Sequence, residues 1–146
     1  MDIQDFSGPN SFLGRGWGFP PQFNKPSCSV RMVSEAEDIC ESLHILLSVS
    51  LGERLKRPNY GCNLDRLTFK SANTQFLTFI RSFVEQSIML HEPRIILDNV
   101  KMLTDQLLDG LIKINIDYTI RATNSPDNYV FPFYLTEADA DAPPIR

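Results

Sequence analysis

Glycoside hydrolysis needs only two carboxyl groups facing one bond, and Glu35, Glu53, Asp65, Glu85 and Glu92 are candidates to supply them. The general acid of such a pair also needs a raised pKa, usually from an apolar pocket. Glu92 lies two residues before Arg94, whose charge favours the ionised carboxylate instead. The acidic residues that open the first predicted helix sit at the positive end of its dipole, which favours ionisation as well. No matched acid and base stands out. Nucleophilic catalysis would have to be built from His44 and His91, both on predicted helices and neither in a recognised motif. There is no P-loop, G-x-S-x-G, H-E-x-x-H or dinucleotide fingerprint. Cys28, Cys40 and Cys62 lack C-x-x-C spacing and are odd in number, so neither a disulfide framework nor a zinc site is implied. No enzymatic activity and no cofactor are expected.

Composition narrows the field further. At 146 residues the chain is long enough for one domain with a single sizeable core. A hydrophobic share of 42% beside 22% charged residues is globular and not disordered. A formal net charge of −4 argues against gripping nucleic acid by its phosphates. The densest basic cluster, Arg54-Leu55-Lys56-Arg57, reads as a solvated loop. The opening MDIQDFSGPN has neither the basic nor the apolar region of a signal peptide. No stretch approaches the ~18 consecutive apolar residues of a membrane span. The expectation is a cytoplasmic protein without membrane insertion.

Hydrophobic periodicity then places the elements that must position any functional group. Ser34, with Glu37 three residues on, forms a capping-box pattern. Ala36, Ile39, Cys40, Leu43, Leu46, Leu47 and Leu51 follow at helical spacing until Gly52. His44 among them reads as a packed or surface residue and not as a metal ligand. Residues 52–70 are a long connection with turns at Pro58, Asn59 and Gly61. A second helix is predicted over 73–91, striped by Phe76, Ile80, Phe83, Val84 and Ile88 and widened by Phe79 and Leu90. A strand over 95–104 leads through a loop ending in Asp109-Gly110. In LIKINIDYTIR, the side chains of Ile112, Ile114, Ile116, Tyr118 and Ile120 fall on one face of a second strand. NSPDN reads as a turn and YVFPFYL as a third strand, which Pro132 assigns to a sheet edge. The fold class expected is α+β: two main helices packed on a small antiparallel three-stranded sheet, preceded by an extended aromatic arm. The boundaries expected are 1–29 for the arm, 30–136 for the α+β domain and 137–146 for a flexible acidic tail.

Two segments carry more than a fold requires. FLGRGWGFPPQF sets Phe12, Trp17, Phe19 and Phe23 among glycines that make a poor helix and a poor isolated strand. Those rings either fold back on their own domain or lie in a groove on a partner. In LHEPRII, Pro93 denies the α region to Glu92 and ends the helix, but this does not explain the two opposite charges flanking it. Either Glu92 pairs locally while Arg94 bonds the last helix carbonyls, or the proline fixes the corner so that both side chains are presented to a partner. Arginine's planar fork suits a bidentate contact of the second kind.

In order and spacing, FLGRGWGFPPQF, SEAEDICESLHILLSVSLGERLKRPNYGCNL, EPRI and INIDYTIRATNSPDNYVFPFYL resemble the gene-25-like (GPW) baseplate proteins of contractile tails. That family includes the TssE component of type VI secretion systems and counterparts in extracellular injection particles. The resemblance spans roughly residues 11–135. It implies a structural baseplate wedge component that initiates the contractile sheath by strand pairing. Its implied partners are sheath subunits, neighbouring wedge proteins and the hub or spike, in a hetero-oligomeric baseplate with roughly six copies. On this resemblance Glu92, Pro93 and Arg94 bind wedge proteins. Tyr129, Val130, Phe131, Phe133, Tyr134 and Leu135 form the sheath-pairing edge strand, and Phe12, Trp17, Phe19 and Phe23 form a docking arm. The protein would work in the cytoplasm within an assembled baseplate, or as part of a virion or released particle. Some members carry a lysozyme label, so the alternative is a small muralytic hydrolase.

Overall fold

The computed structural model describes residues 14–62, 64 and 73–135, apart from the side chains of Ser34 and Glu35. Phe12, Asp65, the Ser34 side-chain cap and the acidic tail 137–146 lie outside the described residues. The chain packs as two compact units, one through Glu41 and the other from Ser42.

In the first unit, sequence that is too glycine-rich for isolated strands forms paired ones. β1 (Arg15–Trp17) runs antiparallel to β4 (Met32–Ser34), and β2 (Phe23–Asn24) pairs with β3 (Ser29–Val30) between them. The Gly18 N–H donates to the Arg31 carbonyl and the Arg31 N–H to the Gln22 carbonyl, each at 2.9 Å, so the two ribbons read as one long hairpin. Described residues of the expected extended arm are therefore folded back on themselves. At Gly16 the ribbon passes close to α1, where a Cβ would run into Asp38 Oδ1, whereas at Gly18 a Cβ would meet only ordinary contact with Arg31. α1 (Glu35–Ser48) follows β4 directly. Glu37 pairs with Arg31 at 3.1 Å, and Glu41 Oε2 accepts from the Phe19 N–H at 2.9 Å, which ties the hairpin to the helix start.

The second unit holds the rest of α1, α2 (Thr74–His91) and a three-stranded antiparallel sheet. Its strands, β5 (Ile95–Leu103), β6 (Leu111–Ile120) and β7 (Ser125–Tyr134), are arranged in that order with β6 in the middle. Ile112, Ile114, Ile116, Tyr118 and Ile120 alternate along β6 and are all buried, sharing the core with Leu43, Leu46 and Leu47 of α1 and Ile80, Val84 and Ile88 of α2. Each aliphatic side chain so buried contributes about 1.5–3 kcal/mol. α2 opens at Asn73, whose Oδ1 accepts from the Phe76 N–H at 2.7 Å, satisfying one of the helix's unpaired donors. It closes at Glu92, whose N–H still donates to Ile88 while its ψ of 76° has left the helix, as a residue before proline must. No described helix is long and apolar enough to cross a membrane.

Two sequence expectations change here. α1 ends at Ser48, before Leu51, because the chain turns to let the Val49 carbonyl accept the Cys62 N–H at 2.8 Å. NSPDN is not a turn: residues 121–124 turn, with Asn124 at φ 50°, and β7 begins at Ser125. Pro126 and Pro132 therefore both lie inside β7, opposite Thr119 and Lys113. The Leu135 N–H donates to the Gly110 carbonyl at 2.7 Å, which marks the odd residues of β7 as those bonded to β6. Both prolines fall on even positions, where the missing N–H costs the ladder nothing.

Candidate functional site

The corner after α2 closes on itself. Glu92 is only 4% exposed. Arg94 donates to both of its carboxylate oxygens, Nε to Oε1 at 2.6 Å and Nη2 to Oε2 at 3.0 Å, and Ser42 Oγ donates to Oε2 at 2.6 Å. Burial alone would raise the Glu92 pKa, but the hydrogen bonds from Arg94 and Ser42 and the Arg94 charge outweigh it and the pKa is lowered. Pro93 is exposed and the Arg94 side chain is 31% exposed. Arg121 fastens the far side, its N–H donating to the Arg94 carbonyl at 3.0 Å and its Nε to the Ile95 carbonyl at 3.2 Å.

A second cluster abuts the corner. The Tyr60 and His91 rings lie 5.1 Å apart, His91 Nε2 donates to the Asn59 carbonyl at 2.9 Å, and the Arg54 guanidinium stands 4.3 Å over the Tyr60 ring. Burial raises the Tyr60 pKa, against the lowering pull of the Arg54 charge. Sequence reasoning missed Ser42 and Tyr60. Ser42 had no signal, while the spacing of Arg54 to Tyr60 across a turn-rich loop was the only hint of the stack.

Of the two sequence readings of Glu92, the structure shows local pairing, with Arg94 as the partner. Pro93 and the outer part of Arg94 are what this corner shows to solvent. Along β7 the strand alternation separates the candidate residues. Phe131 and Phe133 are buried, and Tyr129 faces α1, sharing a 2.9 Å hydrogen bond with His44 Nδ1. Val130 and Tyr134 lie on the opposite face, half-buried. Leu135 continues the ladder to Gly110. In the aromatic ribbon, Trp17 is 64% and Phe23 70% exposed, packed edge to face at 6.5 Å, and Phe19 is exposed beside them.

Of the candidate carboxylates, three have described side chains: Glu53 accepts the Ser50 N–H at 3.0 Å, Glu85 is bonded by Arg81 Nε at 2.8 Å, and the partners of Glu92 lower its pKa. Among the described residues no group of His, Cys, Asp and Glu could hold a metal ion.

These features are those of an α+β chain with a three-stranded antiparallel sheet, a locked helix–strand corner and an exposed aromatic ribbon. Residues 33–125 match the family described as baseplate wedge protein gp25, and the chain belongs to that family and is a baseplate component by membership. A crystal structure described as a candidate tail lysozyme from Geobacter sulfurreducens is 40% identical, with a TM-score of 0.67, covering 73% of this chain and 96% of that one. A chain of the anti-feeding prophage baseplate is 26% identical, with a TM-score of 0.61, covering 87% of this chain and 90% of that one. A chain of the post-contraction pyocin R2 baseplate is 19% identical, with a TM-score of 0.48, covering 78% and 97%. No curated protein matches the chain.

Proposed function

We propose that the chain is a structural wedge component that nucleates the contractile sheath. It pairs a sheet edge with the first sheath subunits and docks on neighbouring wedge proteins through Pro93, Arg94 and the aromatic ribbon. One observation carries this: among the described residues, both outer strands of the sheet, β5 and β7, pair on one side only. A strand edge left open in this way can accept a partner strand by main-chain hydrogen bonds. The wedge, sheath and hub partners, and roughly six copies per baseplate, follow from the family resemblance.

Glu92 enters this reading as the group that aims Arg94. A carboxylate gripping two of the guanidinium's N–H donors leaves the side chain one orientation, which lowers the entropy lost when a partner binds it. The hydrolase reading draws on the likeness to a structure described as a tail lysozyme, and the paired or capped carboxylates of this chain oppose it.

Electron microscopy of particles from a host lacking the gene tests the proposal. Bare or absent tubes, restored to sheathed ones by the wild-type gene, are expected. Normal sheaths on particles that fail only to breach a cell wall would sink it.

A further inference from the structure

We infer that the loop from Gly52 to Pro58 is a further docking element, which seats against an acidic surface of a neighbouring baseplate protein and places Leu55 in an apolar socket there. This rests on the wedge-docking reading above and adds a surface to it. It departs from the sequence expectation, which took the cluster from Arg54 to Arg57 for a solvated loop.

A merely solvated loop is free to move, and this one is held. The Gly52 N–H donates to the Pro58 carbonyl at 2.8 Å, which closes the loop at its neck. At its start the Ser50 N–H donates to Glu53 Oε2 at 3.0 Å, and the Glu53 N–H returns to the Ser50 carbonyl at 3.1 Å. Across the tip the Arg57 N–H donates to the Arg54 carbonyl at 3.3 Å, and beyond it the Tyr60 N–H donates to the Arg57 carbonyl at 3.0 Å. Arg54 lies over the Tyr60 ring, and the contacts of His91 with Tyr60 and Asn59 fasten the loop to the last residue of α2. Short surface loops closed in this way frequently carry function.

The tip that is held so firmly covers nothing. Residues 52–59 are all exposed, Leu55 at 99%. The loop carries three cations, Arg54, Lys56 and Arg57, against one carboxylate, Glu53, on a chain of net charge −4. Glu53 is turned back to the Ser50 N–H and Arg54 to the Tyr60 ring. Lys56 and Arg57 make no ion pair among the described residues. Two such cations beside a bare leucine match carboxylates set around an apolar pocket. Because main-chain bonds already fix the loop, little backbone entropy is lost when that surface closes on it.

The position of the loop favours a protein as the occupant. His91 joins it to the corner that follows α2, where Pro93 and the outer part of Arg94 face solvent. A wedge protein that covers this corner therefore meets Lys56 and Arg57 beside it. Nucleic acid binds through many phosphate contacts, which one short loop on an acidic chain does not offer. A membrane surface takes an amphipathic face or a lipid anchor, and a single leucine is neither.

The test uses the full-length chain and the purified wedge proteins of the same contractile system. Lys56→Glu/Arg57→Glu reverses the two free charges, and Leu55→Ser removes the apolar tip. All three side chains are exposed, so melting temperatures near wild type are expected. Wild-type binding should weaken as salt rises. At low salt the charge-reversed chain should bind about tenfold more weakly, and Leu55→Ser about fivefold. A zero-length carbodiimide crosslink on the wild-type complex should join Lys56 Nζ to an aspartate or glutamate of a wedge protein. This arm decides the matter should a variant unfold. A charge-reversed chain that binds as wild type does, with no crosslink at Lys56, overturns the loop but keeps wedge docking. Leu55→Ser binding as wild type does overturns the apolar socket. Charge reversal that costs binding to a labelled DNA duplex or to phosphatidylglycerol vesicles, with wedge binding unchanged, overturns the protein partner. A wild-type chain that binds none of the wedge proteins, singly or together, overturns wedge docking itself.

Discussion

At the scale of single residues, the corner turns on one buried carboxylate. Glu92 sits 4% exposed with Arg94 and Ser42 as its donors. Removing Arg94 leaves a buried charge without its counter-ion, the costly way to break such a pair. Arg94→Ala is expected to destabilise the fold by about 2–3 kcal/mol, less than for a fully buried pair because Arg94 itself keeps solvent contact. The double variant Glu92→Gln/Arg94→Ala should recover part of that loss, since the amide carries no charge to strand. Urea unfolding of the three chains checks both statements. A docking defect in Arg94→Ala is meaningful only when measured against the double variant, which lacks the guanidinium without the stranded carboxylate. The same pair fixes a pH dependence. Glu92 has its pKa lowered below the ordinary 4.5 in the folded state, so its contribution is present above that value and is lost as pH falls through the lower folded pKa. The stability gap between wild type and Glu92→Gln should therefore be constant near neutrality and close progressively below about pH 4.5. A gap that widens on acidification would contradict the pairing.

At the scale of elements, the loop between the helices is held by a backbone contact that only glycine permits. Gly61 has φ 124°, and a Cβ there would collide with the Val49 carbonyl oxygen, the same atom that accepts the Cys62 N–H. Gly61→Ala is expected to cost about 1–3 kcal/mol and lower the melting temperature, from strain that no rotamer relieves. An unchanged melting temperature would mean that the loop has another way to reach α2. Gly61 was legible in the sequence only as a turn marker. By contrast, β6 was fully legible, because one face buried and one face solvated impose strict alternation from Leu111 to Ile120. α2 was nearly so, its start at Asn73 and its stop at Pro93 both being local chemistry. The aromatic hairpin was not, since its pairing is set by bonds between residues distant in the sequence, such as Gly18 and Arg31, and by the Gly16–Val33 register. The β6–β7 turn was misplaced because Ser, Pro, Asp and Asn are turn residues by type, whereas the register puts Pro126 where a strand tolerates it. The clamp on Glu92 was half legible. Arg94 lies two residues away in the chain, but Ser42 comes from another helix, 50 residues distant.

At the scale of the whole molecule, what separates an assembly protein from a wall-degrading enzyme is whether any carboxyl group can hold a proton at neutral pH. A glycosidase acid does so in an apolar pocket away from cations. The buried carboxylate among the described residues, Glu92, has the opposite surroundings, and its pKa is shifted down. Glu85 lies at an open groove beside β5 but is bonded by Arg81 at 2.8 Å. Glu53 is exposed and spends an oxygen on the Ser50 N–H. Purified chain incubated with peptidoglycan is therefore expected to release no reducing sugar above the buffer blank. Glu85→Gln and Glu92→Gln should then give the same blank as wild type. Turnover by the wild type that either substitution abolishes would instead make that glutamate catalytic and reverse the functional conclusion. If both substitutions leave a measured turnover intact, the activity belongs to a contaminant or to another carboxylate, with Glu35, Glu53 and Asp65 the remaining candidates. Variants that also carry Glu35→Gln, Glu53→Gln or Asp65→Asn, compared at equal folded fraction, separate those two cases. Equal folded fraction matters because loss of the Glu92 clamp alone lowers stability, and a fall in activity through unfolding would mimic catalysis.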